Sequence, residues 1–286
     1  MAEYFNETIN GKDVYEGERL GNERHGRGRE VKADGETYEG GWSHNMREGY
    51  GVAVLAVSDL NEEEIERLRD LDKKLESTVN REKYWDKLSA ETQRQILEIR
   101  KRTALFDRYE GEWKNDLCQG HGKAFYFNGD IYEGEWREGK PHGHGTLYQK
   151  HGKTIETEWD AGQMKACVKG RIEYPEGIVY EGEITLDSPD GQGVLTMADG
   201  TSYEGIFMMD GLPSGEYTVN YPNGDIYTGM VINGIPNGND ANMTYANGDE
   251  YWGDFRNGKR SGYGMMVYHN GDMEDGIWEN DVYMGE

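Results

Sequence analysis

One period constrains this chain more than any other feature. The stretch Tyr132-Glu133-Gly134-Glu135-Trp136, a turn segment Glu138-Gly139-Lys140-Pro141 and the return His142-Gly143-His144-Gly145 recur with errors along most of the sequence. Copies begin at Tyr15, Tyr38, Tyr109, Tyr132, Ile155, Tyr180, Tyr203, Tyr227 and Tyr251, and a half copy begins at Glu274. Tyr109, Tyr132 and Ile155 are 23 residues apart, and Tyr203, Tyr227 and Tyr251 are 24 apart. Units of this length bury surface only against their neighbours. Inside the unit, the period of two of a β-strand puts Tyr132, Gly134 and Trp136 on one face and Glu133 and Glu135 on the other. A glycine beside a ring leaves a flat hollow in which a neighbouring hairpin's Tyr or Trp can stack.

The expected fold is therefore an all-β repeat: an elongated single-layer antiparallel β-meander of hairpins. Some 18–20 strands at about 4.8 Å each would run roughly 90 Å, with the usual twist. The two terminal edges are unpaired, which suits a homodimer through terminal repeats or the addition of another protein. Composition agrees. Glycine fills 41 of 286 positions, about twice the ordinary share. The 20 tyrosines outnumber the 6 phenylalanines, as suits rings that stack while their hydroxyls keep a polar partner. Low hydrophobicity with a net charge of −24 is also the signature of disorder, but a disordered chain has no aromatic phase.

The phase breaks once. Tyr38 and Tyr109 are separated by 71 residues, and from Ala56 to Asp107 there is neither glycine nor proline. This divides the chain into N-terminal repeats (1–55), an insertion (56–107) and a main array (108–286). Rich in Glu, Lys, Arg and Leu, the insertion is expected to be a helical hairpin. Asn61 with Glu64 can cap a first helix carrying Ile65, Leu68, Leu71 and Leu75, and Ser89 a second carrying Ile96, Leu97, Ile99, Ala104 and Phe106. Its apolar stripe either folds back on the aromatic face, presents Tyr84, Trp85 and Leu88 to a partner, or forms a coiled-coil seam with another chain. The copy at Ile155 has Thr157 in place of the strand glycine and is a candidate bend.

At these residues the chain resembles a known family. Tyr-Glu-Gly-Glu-Trp followed by His-Gly-x-Gly is similar to the MORN repeat (membrane occupation and recognition nexus), and the resemblance covers nearly everything outside 56–107. The opening, through Gly35-Glu36-Thr37-Tyr38-Glu39-Gly40, is similar to the start of the radial spoke head subfamily. The resemblance implies a structural scaffold that binds a helix or extended segment of a partner protein along an aromatic groove, in a ciliary, flagellar or cortical cytoskeletal assembly. Candidate groove residues are Tyr132, Trp136, Tyr180, Tyr203, Tyr227 and Tyr251. The family's older association implies the alternative, a phosphoinositide-binding membrane adaptor.

Charge separates these functions. From Arg171 to Glu286 there are four basic residues against 21 acidic, a balance of −17. Nucleic acid and anionic lipid both require Lys/Arg patches, and the basic cluster Arg24, Arg27 and Arg29 near the start is the exception. Neither nucleic acid nor membrane is expected as a partner. Cys118 and Cys167 sit at different offsets in different repeats, so no disulfide framework follows. With no signal peptide and no apolar run long enough to span a bilayer, the chain is expected in the cytoplasm.

Nothing in the pattern reads as catalytic, cofactor-binding or metal-binding. His25, His121 and His142 hold equivalent places in their copies, and equivalent places even in successive hairpins are about 10 Å apart, too far to share one metal whose ligands sit near 2 Å from it. The Glu pairs of Tyr-Glu-Gly-Glu read as the solvated face of each strand. Asp187-Ser188-Pro189-Asp190-Gly191 lacks the fixed offsets and closing Glu of a calcium loop. The chain has no phosphate-cradling loop, no nucleophile elbow and no appended kinase or SET-type methyltransferase region.

Overall fold

A computed structural model describes residues 3–9, 13–33, 35–55, 88–89, 92, 106–126, 128–208 and 212–286. The expected helical hairpin, with Tyr84 and Trp85, lies outside the described residues apart from a fragment. There the Ser89 hydroxyl accepts from the Thr92 N–H at 3.1 Å, the N-cap bond expected of it. Phe106, read as helical, instead begins a strand, where it packs on Tyr109 with ring centroids 5.4 Å apart.

The chain divides into two compact units, residues 1–150 and 151–286. The first is an antiparallel meander of β1 (Glu3–Ile9), β2 (Asp13–Leu20), β3 (Glu23–Val31), β4 (Thr37–Ser43), β5 (Met46–Val54), β6 (Phe106–Lys114), β7 (Leu117–Tyr126), β8 (Ile131–Arg137) and β9 (Lys140–Tyr148). Each strand pairs with the next, and β5 pairs directly with β6 across the insertion, Gly51 opposite Gly111. The second unit carries β10 (Thr154–Asp160), β11 (Gln163–Met164), β12 (Val168–Glu173), β13 (Val179–Thr185), β14 (Ser188–Thr196), β15 (Ser202–Met208), β16 (Gly215–Asn220), β17 (Ile226–Ile232), β18 (Ile235–Pro236), β19 (Gly238–Thr244), β20 (Glu250–Arg256), β21 (Lys259–Val267), β22 (Met273–Glu279) and β23 (Val282–Gly285). It is again an antiparallel meander.

The glycine hollows are real, and their geometry explains the repeat. In six hairpins two glycines face each other across the strands: Gly17 and Gly28, Gly40 and Gly51, Gly111 and Gly122, Gly134 and Gly145, Gly182 and Gly193, Gly253 and Gly264. The tyrosine two residues before the first glycine lies over the pair. Its hydroxyl donates to the carbonyl three residues on, as from Tyr132 to Glu135 at 3.0 Å and from Tyr180 to Glu183 at 2.9 Å. The tryptophan two residues past that glycine reaches back one hairpin, its indole N–H donating to a glycine carbonyl: Trp42 to Gly28 at 3.1 Å, Trp113 to Gly51 at 3.2 Å, Trp136 to Gly122 at 3.0 Å. Each Trp thus stands edge-on between two tyrosines. From Tyr15 through Trp42, Tyr38, Trp113, Tyr109 and Trp136 to Tyr132, centroids are 5.0–5.5 Å apart with planes at 81–89°, the favoured edge-to-face geometry. The ladder runs unbroken past the insertion.

Between the facing glycines and the turn, the register slips. His142, Gly143 and His144 on β9 stand against the single residue Glu135 on β8, a bulge in which Gly143 takes φ 62°. Glu135 fills the gap, its carboxylate accepting the His144 N–H at 3.0 Å. Glu112 and Glu183 do the same for His121 and Gln192 at 3.0 and 3.1 Å. The reading of both glutamates as solvated face is therefore corrected for the second of each pair, which satisfies a backbone donor. The first is exposed, as expected: Glu133 meets Lys123 at 2.9 Å.

The turn edges are closed in the same stepwise manner. In Asn128-Gly129-Asp130, Gly129 takes φ 88°, and the Asp130 carboxylate accepts from Lys150 N–H in the next turn at 2.9 Å. Asp225 and Asp249 repeat this toward Ala246 and His269, both at 2.9 Å.

Candidate functional site

The ring ladder is core. Tyr132, Trp136, Tyr180, Tyr227 and Tyr251 are at most 3% exposed. Burial pushes the hydroxyls of Tyr180 and Tyr251 up to about 12 and those of Tyr132 and Tyr227 further still. Leu88 is half-buried. Tyr203 departs from the expected pattern. Its copy has no second glycine, since Tyr217 stands opposite Gly205. The Tyr217 ring takes the hollow over Gly205, donates to Ile206 O at 2.6 Å and packs on Phe207 at 5.2 Å. Displaced and half-buried, Tyr203 donates instead to Gly234 O at 3.0 Å.

That substitution opens the aromatic face of the second unit. A cavity of about 440 Å³ lies there, bounded by Tyr174, Leu195, Phe207, Leu212, Pro213 and Tyr217. It is lined mainly by apolar and aromatic groups, with Glu176 and Ser214 among them, the make-up of a site that takes an apolar side chain or segment. Sequence reasoning missed Tyr217 as the residue shaping it. The signal was present: tyrosine occupies a position where most copies carry glycine.

The corresponding face of the first unit is charged. Glu30 stands between Tyr15 and Tyr38, where later copies carry residues such as Ala53 and Leu195. It is paired with Arg24 and lies 3.8 Å from Arg47. Arg24 stacks 4.2 Å from the Trp42 ring centre, and Arg47 stands 4.8 Å from that of Tyr38. Arg47 also meets Glu36 at 2.5 Å, and Lys32 meets it at 2.7 Å. Burial alone would raise the Glu36 carboxyl, but the hydrogen bonds from Lys32 and Arg47 outweigh it and hold it below its ordinary value. These cations are committed to carboxylates and rings and are not offered to a ligand.

Both cysteines are free. Cys118 is buried and its thiol is pushed up to about 12, chiefly by that burial, which makes it a packing residue. Among the described residues no group of His, Cys, Asp and Glu is placed to hold a metal ion, and no helix is long and apolar enough to cross a membrane.

One family model follows the repeat geometry. The MORN repeat family matches at residues 15–37, 38–56, 109–131, 132–153, 180–202 and 251–273. No curated protein matches the chain. Among solved structures, the SAS-4 (dCPAP) TCP domain of Drosophila melanogaster, in complex with a proline-rich motif of Ana2 (dSTIL), is 15% identical with a TM-score of 0.37, over 56% of this chain and 85% of that one. The G-box domain of the microcephaly protein CPAP is likewise 15% identical at a TM-score of 0.37, over 58% and 84%. The Danio rerio CPAP domain with a STIL peptide is 12% identical at 0.34, over 95% and 82%. The likeness of the opening to radial spoke head proteins gains no support from these comparisons. The six matched segments are the six hairpins in which two glycines face each other beneath a tyrosine, and the chain is a MORN-repeat protein.

Proposed function

We propose that this chain is a non-catalytic scaffold that holds a partner protein on the aromatic face of its second unit. The observation that carries the reading is the apolar cavity at Phe207 and Tyr217, the place where Tyr217 stands in the ring ladder instead of Tyr203. The occupant is an extended or helical segment that inserts apolar side chains between Leu195 and Leu212, a recognised mode for peptide capture. The ladder itself supplies rigidity, since its rings and hydroxyls are satisfied within the chain. Placement in the cytoplasm, at a ciliary, flagellar or cortical cytoskeletal assembly, belongs to the same proposal and is supported by the family resemblance.

Leu212 is 55% exposed, so Leu212→Glu should leave the fold intact. Affinity capture with the wild type should retain a defined partner that L212E loses at least tenfold. Equal recovery by both forms would refute the groove as the binding site.

A second reading, the phosphoinositide-binding adaptor, draws on exposed Arg27 and Arg29 beside a concavity of about 780 Å³ in the first unit. Glu16 and Glu39 flank Arg29 across the strands and offset its charge. Flotation with anionic vesicles is therefore expected to recover no protein, and salt-sensitive recovery would favour the adaptor.

A further inference from the structure

The opposite face of the sheet, held by Glu and its cationic partners over β6–β8, is largely apolar on the last strands of the chain. On β20, β21 and β22 nine residues share this face as a grid, because same-face residues alternate and the β20–β21 register holds from Glu250 to Gly253 before shifting at Asp254. Glu250, Val267 and Met273 make one row and Trp252, Met265 and Asp275 the next. Tyr263 and Ile277, opposite each other, share the third with Asp254. Six of the nine are apolar or aromatic, three are acidic and none is basic. Trp252 is 50% exposed, Tyr263 60%, Met273 67% and Ile277 47%.

The equivalent grid on β6, β7 and β8 shows what the repeat needs there. Glu110 stands in place of Trp252, His121 of Tyr263, Lys123 of Met265, Glu133 of Asp275 and Glu135 of Ile277. It is held by ion pairs of Arg108 with Glu110 and of Lys123 with Glu133. Charged residues thus satisfy every structural demand of the position. The glutamate at the bulge has a definite backbone partner on the following strand, whereas β23 passes Ile277 differently: Ile277 pairs with Gly285 and Trp278 with Tyr283, with only Met284 between them, so the three-residue gap that Glu135 fills is not formed. Loss of the demand accounts for the loss of Glu. It does not account for isoleucine, with a tryptophan and a tyrosine beside it, in water. Exposed Trp and Tyr clustered with aliphatic side chains are what a protein interface concentrates.

We infer that this second face is a docking surface for a cationic amphipathic segment of another protein. Charge selects the occupant. Residues 202–286 hold 14 acidic residues against Arg256, Lys259 and Arg260, a balance of −11, and Arg260 is already engaged with Asp281 at 3.3 Å. A second copy, itself at −24, and an anionic membrane are both repelled. Lysines or arginines flanking an apolar face would meet Glu250, Asp254 and Asp275 while that face covers Trp252 and Ile277. The grid spans about 10 Å by 14 Å between Cα positions, the footprint of about two helical turns.

The full chain is titrated with a fluorescent 18-residue peptide of Leu and Lys patterned as an amphipathic helix, read by anisotropy, against Trp252→Glu with Ile277→Glu. Both substitutions restore the residue type of the matching grid position in β6–β8, and an unchanged melting midpoint checks the fold. The wild type should bind saturably and the double variant at least tenfold more weakly. The variant is more negative, so attraction by charge alone would tighten binding, and unchanged or tighter binding overturns the inference. So would equal binding of a Leu/Glu peptide, recovery on phosphatidylserine vesicles, or a wild-type dimer that W252E abolishes. Should the double variant unfold, Trp252→Thr, the residue type of Thr228 one copy earlier, carries the same test. Loss with L212E but not here, or the reverse, separates this face from the groove.

Discussion

Gly145→Ala tests whether glycine is in the repeat for flexibility or for space. Propensity favours the alanine, since removing backbone freedom from the unfolded chain at a site without strain stabilises by about 0.4–1 kcal/mol. Gly145 is such a site by its backbone, for it has no positive φ. Space argues the opposite. A Cβ there would lie 2.5 Å from Tyr132 Cζ and closer still to two further atoms of the same side chain. That ring is 1% exposed, bonded to Glu135 O at 3.0 Å and packed edge-on against Trp136 at 5.3 Å, so it has nowhere to go. Overpacking costs about 1–3 kcal/mol, a lost hydrogen bond about 1 and a disturbed aromatic pair about 0.5–1.5. Against the propensity gain, the net is a destabilisation of about 1.5–5 kcal/mol. In a Tyr132→Ala background, itself costing about 3–5 kcal/mol, the same Gly145→Ala change should become neutral or stabilising, because its obstacle is gone. Repeat arrays open locally, so the assay is urea-dependent hydrogen exchange of the β8 and β9 amides rather than one global melt. A stabilising Gly145→Ala, or equal effects in both backgrounds, would refute the hollow as the reason for the glycine.

Two further predictions concern groups that this packing holds. Tyr15, Tyr180 and Tyr251 are raised by burial from 10.0 to about 12, so their contribution to stability is complete below pH 10 and is lost as pH climbs toward 12. Tyrosinate absorbance should rise in separate phases, the exposed rings ionising with the fold intact and the ladder tyrosines only as the chain unfolds; a single transition with the fold intact would contradict this. At the bulge, Glu135→Ala should cost about 0.5–1.5 kcal/mol by removing the bond to the His144 N–H, Glu135→Gln should recover most of it, and Glu133→Ala should cost at most about 0.5. Equal losses at 133 and 135 in the same exchange assay would deny the second glutamate its backbone role.

Much of this was legible in the sequence because period, face and hollow are local properties. Tyr132, Gly134 and Trp136 share a face by alternation, and a 23-residue phase fixes which hairpin each ring meets. Three things were not legible, each for a physical reason. Bulges are set by cross-strand register, so the difference between Glu133 and Glu135, identical in type and two residues apart, appears only when β9 is laid against β8. Tyr203 looks like its equivalents, and what removes it from the ladder is Tyr217 on another strand. Phe106 continues the insertion's composition without glycine or proline, yet its ring is claimed by Tyr109 and Trp136.

Because the array stabilises itself through one repeated set of contacts, the informative positions are those where the set is broken without loss of the sheet. Replacing the second glycine by Tyr217 keeps the hollow filled and opens a groove beside it. Replacing Glu by Ile277, where the three-residue gap of the other copies is not formed, keeps β21 and β22 in register and leaves an apolar surface uncovered. Each change is tolerated by the fold for its own structural reason, and neither reason requires the apolar surface that results. Both lie between Arg171 and Glu286, where acidic residues outnumber basic ones 21 to four. If both proposals hold, two apolar surfaces set in one strongly negative field, on opposite faces of the second unit's sheet, would select the same class of partner, cationic and amphipathic. They can be engaged together, so that two segments held at once would raise each other's effective concentration.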